Sequence, residues 1–207
     1  MATLGTGTQP TSMTVGTDRI RREHQVIADM LDAAAALAER VAQGREVDGP
    51  VLDGVWDFFH RFVERNHNAK EVEVLYPRLA RKGVSLAGLP LARIEEEHAR
   101  MAEILEAVAD ATDGMGAKVP GAEKEWVRQV LHMVQVVRAH ELKEDAMLVA
   151  AAERLFTPEE QAELAQAFEH WEAKRVPEGI KSHLERCVHT LPMAALGRRA
   201  ATHLFTP

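Results

Sequence analysis

Apolar residues recur at helical spacing along most of this chain, and the breaks between the runs divide it into helix-sized pieces. In the first run Ile20, Ile27, Leu31, Ala34 and Ala38 share a face behind a Thr17 or Asp18 cap, and GREVDGP ends it. A second run starts near Pro50 and uses Val51, Val55, Phe58, Phe59, Phe62 and Val63. It heads for Pro77, where the missing amide predicts a kink or a stop. A third helix is predicted over about Pro90 to Asp113, after RKGVSLAGLP, and a fourth over about Ala122 to Arg154, after GMGAKVPG. In TPEE at 157–160, Thr157 caps, Pro158 fills the first turn and Glu160 reaches back, predicting a fifth helix to about Arg175. A short amphipathic piece near 178–190 is expected to lie across the others.

Residues 1–16 are rich in Gly, Thr and Ser and carry no apolar period, which predicts a disordered leader. The expected organisation is therefore a leader (1–16), a helical domain (17–176) and a C-terminal amphipathic segment and tail (177–207). Composition agrees with an all-α class: of 207 residues 46% are apolar and only 5% aromatic, with helix formers dominant. A formal charge of −7 argues against nucleic acid as a partner, which needs a clustered basic face. No run approaches the roughly 20 apolar residues of a membrane span. MATLGTGTQPTSMTVG lacks the basic start and apolar core of a signal peptide, so the expected location is the cytoplasm. The single cysteine, Cys187, cannot form an internal disulfide and reads as a small buried hydrophobe.

Two motifs change the picture from bland bundle to chemistry. HNAKE at 67–71 returns as HELKE at 140–144, both H-x-x-K-E. DRIRREHQVIADML, from position 18, aligns with ARIEEEHARMAEIL, from position 92, so Glu23-His24 corresponds to Glu97-His98. The spacing from His24 to His67 is 43 residues and that from His98 to His140 is 42, so one helix pair is repeated. Two such hairpins packed about an approximate twofold axis form an up-down four-helix bundle, here with an extra C-terminal helix, and bring four histidines and two glutamates together.

Residues four apart on a helix differ by about 40° in direction and about 6 Å in height, so each motif presents an imidazole and a carboxylate side by side. A single H-x-x-K-E is ordinary on a solvated helix; two in register, each preceded by Glu-His, are not. Burying two carboxylates among four imidazoles costs several kcal/mol per charge unless a pair of cations compensates. Mixed imidazole and carboxylate ligation suits iron, with manganese, cobalt and zinc as competitors, and one cysteine excludes a thiolate site. If Glu71 and Glu144 bridge two ions, together with a solvent-derived oxygen, two histidines per ion leave an open coordination position.

RREHQVI, FFHRFVERNHNAKEVEVLYP, EEEHARM and HELKEDAMLV resemble the helix segments of the hemerythrin-like family, the HHE cation-binding domain, over roughly residues 18–172. The resemblance implies a non-haem di-iron centre, oxo- or hydroxo-bridged, with His24, His67, Glu71, His98, His140 and Glu144 as ligands. The chain departs from the oxygen carriers of that family at Ala102, where they have a second histidine, and places Asn68 where many relatives have His or Glu. Both departures point away from a simple oxygen carrier. Glu64 and His60 are further candidates, as an extra ligand or as groups behind the ligands; His60 lies about 10 Å along the axis from His67. Glu64 and His67 also make the E-x-x-H spacing of ferritin-like sites, a reading that leaves His24 and the His140–Glu144 copy unexplained.

The expected function is a di-iron protein that binds or reacts with dioxygen, peroxide or nitric oxide, by sensing, scavenging or a catalase-like decomposition of peroxide. Alternatives are iron handling or storage without turnover, and a structural bundle holding zinc or no metal.

Overall fold

The computed structural model describes residues 15–85 and 89–196. Every regular element among them is helical: α1 (Val15–Ala42), α2 (Gly49–Phe58), α3 (Tyr76–Arg81), α4 (Leu89–Gly116), α5 (Ala122–Glu144), α6 (Ala150–Leu155), α7 (Pro158–Arg175) and α8 (Glu178–Ala195). Three π-helical stretches, π1 (Phe59–Asn68), π2 (Glu71–Leu75) and π3 (Asp145–Val149), join α2 to α3 and α5 to α6. Residues 49–81 and 122–155 are thus two unbroken helical runs.

Several sequence expectations shift by a turn. Among the described residues the first helix already includes Val15 and Gly16, so Thr17 and Asp18 lie inside it rather than capping it. Its start is held by α7: the Thr17 amide donates to Gln161 Oε1 (3.1 Å), and Gly16 sits so close that a Cβ would stand 2.7 Å from the Gln161 carbonyl oxygen. The rest of the expected leader, residues 1–14, and the end of the tail, 197–207, lie outside the described residues.

GREVDGP does end α1, because Gly44 takes φ +70° and lets the Arg45 amide reach back to the Arg40 carbonyl (3.0 Å). Pro77, by contrast, does not stop its helical run, which continues to Arg81. It stands where π2 gives way to α3 and the backbone ladder changes register, so one missing N–H costs little there. The third helix runs three residues past Asp113 to Gly116. The fifth, α7, forms as expected, with a complete capping box between Thr157 and Glu160. The amphipathic piece is longer than expected, 18 residues, and packs along α1 and α2.

The core has two apolar clusters. One contains Leu37, Phe58, Val108 and Trp126; the other contains Ile20, Leu75, Leu148 and Phe168. Each long helix passes from one to the other through a polar band: Ile20–His24–Ile27, Val63–His67–Val74, Ile94–His98–Met101 and Val137–His140–Leu148. No described helix is long and apolar enough to cross a membrane.

Candidate metal centre

The polar band is the unusual part of this interior. His67, Glu71 and Glu144 are fully buried, His140 and His24 nearly so, and Glu141 is 7% exposed. Such groups survive in an apolar interior only when paired. Here all six carboxylate oxygens of Glu71, Glu141 and Glu144 make no hydrogen bond. The closest neighbour, His24 Nε2 at 2.9 Å from Glu141 Oε2, lacks the alignment of one.

Distances show what the side chains are arranged around. His24 Nε2 and His67 Nε2 are 3.2 Å apart, and His98 Nε2 and His140 Nε2 are 3.0 Å apart. Two donors each about 2.1 Å from one ion stand ~3.0–3.4 Å apart at octahedral or tetrahedral angles, so both pairs have the spacing of ligands on a common cation. Ligand atoms converge in two groups: His24, His67, Glu141 and Glu144 in the first, and His98, His140 and Glu144 in the second. Glu144 belongs to both. Its Oε1 lies 3.1 Å from His140 and 3.5 Å from His98, while its Oε2 lies 3.6 Å from His24 and 3.8 Å from His67.

The electrostatics follow from this crowding. Burial alone lowers His24, but Glu141 and Glu144 outweigh it and raise its pKa to about 10. His67, beside Glu71 and Glu141, and His140, beside Glu144, are raised against the same burial cost. Glu71 is pushed well up by burial and by the neighbouring Glu144 carboxylate. Burial opposes the ionised form of Glu144 too, yet His140, His24 and His67 hold it well below the usual carboxylate range. The raised imidazoles balance the charge of the neighbouring carboxylates, a charge that a bound cation would otherwise neutralise.

The repeated Glu-His and the lysine of H-x-x-K-E have a shared purpose. In the first half, His67 Nδ1 donates to Glu23 Oε2 (2.8 Å), and Lys70 Nζ donates to the other oxygen of Glu23. In the second half, His140 Nδ1 donates to Glu97 Oε2 (3.1 Å), and Lys143 Nζ donates to Glu97 Oε1. His24 Nδ1 is anchored by Asp145 (3.0 Å). A carboxylate on Nδ1 fixes the tautomer that leaves Nε2 free to face the centre, the usual device behind metal-binding histidines. Burial opposes ionisation of Glu23, but the His67 hydrogen bond and Lys70 bring its pKa down to about 2; Lys143 and His140 lower Glu97 in the same sense.

Of the residues expected from sequence, His24, His67, His98, His140 and Glu144 are brought together. Glu71 stands at the edge, 3.8 Å from His67 Nε2, and adds no atom to either close group. His60 and Glu64 are drawn away from the centre into a pair with each other (2.9 Å), with the His60 ring stacked on Trp56. Neither belongs to a converging group. Glu141 was missed. Its signal was in the repeat itself: HNAKE and HELKE differ at their second position, where Asn68 answers Glu141.

Residues 15–152 match the hemerythrin HHE cation binding domain, about two thirds of the chain. The chain belongs to the hemerythrin HHE cation-binding family. Membership makes this a cation-binding domain, and all the ligand candidates of the two converging groups fall inside the matched residues. Among proteins similar to this chain are uncharacterized proteins of Mycobacterium tuberculosis and Mycobacterium bovis. Each is 22% identical over 168 residues, covering 81% of this chain and 65% of its own length. No solved structure matches the chain at a significant level.

Proposed function

We propose that this chain is a non-haem di-iron protein that binds or reacts with dioxygen, peroxide or nitric oxide. The observation that carries the reading is the placement of Glu144, fully buried, with one oxygen toward the His24–His67 pair and the other toward the His98–His140 pair. A carboxylate so placed can bridge two ions, and two divalent cations would neutralise the three buried carboxylates that lack hydrogen bonds. The donor set contains imidazole and carboxylate and no thiolate, which suits iron.

The first position would be held by His24, His67, Glu141 and Glu144, with Glu71 beside it, and the second by His98, His140 and Glu144. Iron, when bound, supplies a redox-active Lewis acid. The chain's own residues do the rest. The two apolar clusters flank the band on either side. Glu23, Glu97 and Asp145 hold the rings of His67, His140 and His24 in the tautomer that binds. Fewer candidate ligands converge on the second position, which would leave more coordination positions there for a small ligand. His98 is also the most exposed of the four rings, at 13%, with the Tyr76 ring nearly parallel to it. The alternating order in which the four helices cross the two apolar clusters supports an up-down four-helix bundle of two repeated hairpins.

The test is metal content of aerobically purified protein together with its near-ultraviolet and visible spectrum before and after peroxide. The expected result is about two irons per chain and charge-transfer bands that change on peroxide addition. Two irons with an unresponsive spectrum would favour iron handling without turnover; zinc, or no metal after iron-supplemented expression, would overturn the redox reading.

A further inference from the structure

Lys70 and Lys143 occupy the same place in the two copies of H-x-x-K-E, yet their surroundings differ completely. Lys70 is fully buried, and its ammonium lies between Glu23 and Glu172 Oε1 (2.6 Å), 5.3 Å from the centre of the Phe168 ring. Glu172 in turn accepts from Arg19 through its other oxygen. Glu23, Lys70, Glu172 and Arg19 thus form an alternating row of charges that ends on the Nδ1–H of His67. Lys143 is 48% exposed and pairs with Glu97 alone among the described residues. Water screens that pair, so Lys143 constrains Glu97 less than the buried Lys70 constrains Glu23.

The difference comes from α7. Glu172 and Phe168 lie on it, beyond residue 152 where the family match ends, and among the described residues no helix does the same for the second half. A buried ammonium must have its charge balanced, and with one carboxylate removed Lys70 would hold Glu23 in a different place or draw water into the row. We propose that Glu172 is a positioning residue for the metal position formed by His24 and His67, acting through Lys70 and Glu23, and that α7 thereby makes that position bind more tightly than its counterpart at His98 and His140. This rests on the two-ion reading above.

Single-position chains test it: His98→Ala retains the first position, and His24→Ala retains the second. Each is titrated with cobalt(II) against a competing chelator, with and without Glu172→Gln, and helix content is followed by circular dichroism. Partners behind metal ligands typically contribute 10–100-fold in affinity. Glu172→Gln is therefore expected to raise the cobalt Kd of the first position by about 10-fold or more and to leave the second unchanged. Arg19→Gln, which removes a hydrogen bond to Glu172 and a longer ion pair to Glu23 (3.9 Å) but leaves both carboxylates on Lys70, shifts the first position in the same direction by less. Glu169→Gln, which shares Arg19 but is 67% exposed, has no effect. Equal weakening of both positions, or of neither, would overturn the proposal. A wild-type chain that binds no cobalt would instead overturn the two-ion reading, and this inference with it.

Discussion

Raising the pH strengthens metal binding to this centre, because cations and protons compete for the same imidazole nitrogens. His24 shows the size of the effect. Its pKa of about 10 arises because Glu141 and Glu144 overcome the burial that would lower it, so in the metal-free chain the ring is charged at neutral pH. That charge stabilises the metal-free fold fully below the ordinary value of 6.5, and the contribution is lost as pH rises through about 10. A cation must displace the proton. At pH 7 the displacement costs about 4 kcal/mol for His24 alone, at about 1.4 kcal/mol per pH unit. Apparent affinity should then climb about tenfold per pH unit between about 7 and 10 from this one ring. His67 and His140, raised in the same sense, steepen the slope. Competition titrations with zinc(II) against a chelator of known pH dependence, at several pH values in this window, measure it directly. A slope of log K against pH of at least about one is expected. A flat line would refute the reasoning: it would mean that the rings are already neutral in the metal-free chain and hold no proton for a cation to displace.

Glu144→Ala should cost both ions, because its oxygens face both histidine pairs, whereas Glu141→Ala should cost only the first; metal content by elemental analysis separates the two. His60→Ala should leave metal content unchanged, since that ring pairs with Glu64 outside the converging groups; a lost ion would contradict the site as drawn. Gly16→Ala should destabilise the fold despite alanine's better helix propensity. Its Cβ would stand 2.7 Å from a backbone oxygen that cannot step aside and 2.9 Å from Leu164, an overpacking cost of about 1–3 kcal/mol. Thermal unfolding followed by circular dichroism should show a Tm lower by roughly 2–4 °C per kcal/mol lost, and an unchanged Tm would argue against the tight α1–α7 contact.

By itself the sequence determined the helices, the repeat and most of the buried His/Glu band, because helical periodicity, Thr157 capping and the turn at Gly44 are local properties of short stretches. His24, His67, His98, His140 and Glu144 were legible for the same reason: once each helix is placed, spacing along it decides which face a side chain takes. The tertiary structure decided the rest. Glu141 rather than Glu71 joins the first converging group, a matter of how α5 is rotated against α1, which no spacing within HELKE expresses. Pro77 stays inside a helix because π-helical turns precede it and shift the backbone register where the missing amide falls. Two lysines in identical motifs become one buried and one exposed, because Glu172 reaches Lys70 from 102 residues away and α7 covers only the first half of the repeat. Burial and charge balance depend on neighbours distant in the chain, and those neighbours, not the motif, set what each copy of H-x-x-K-E can do.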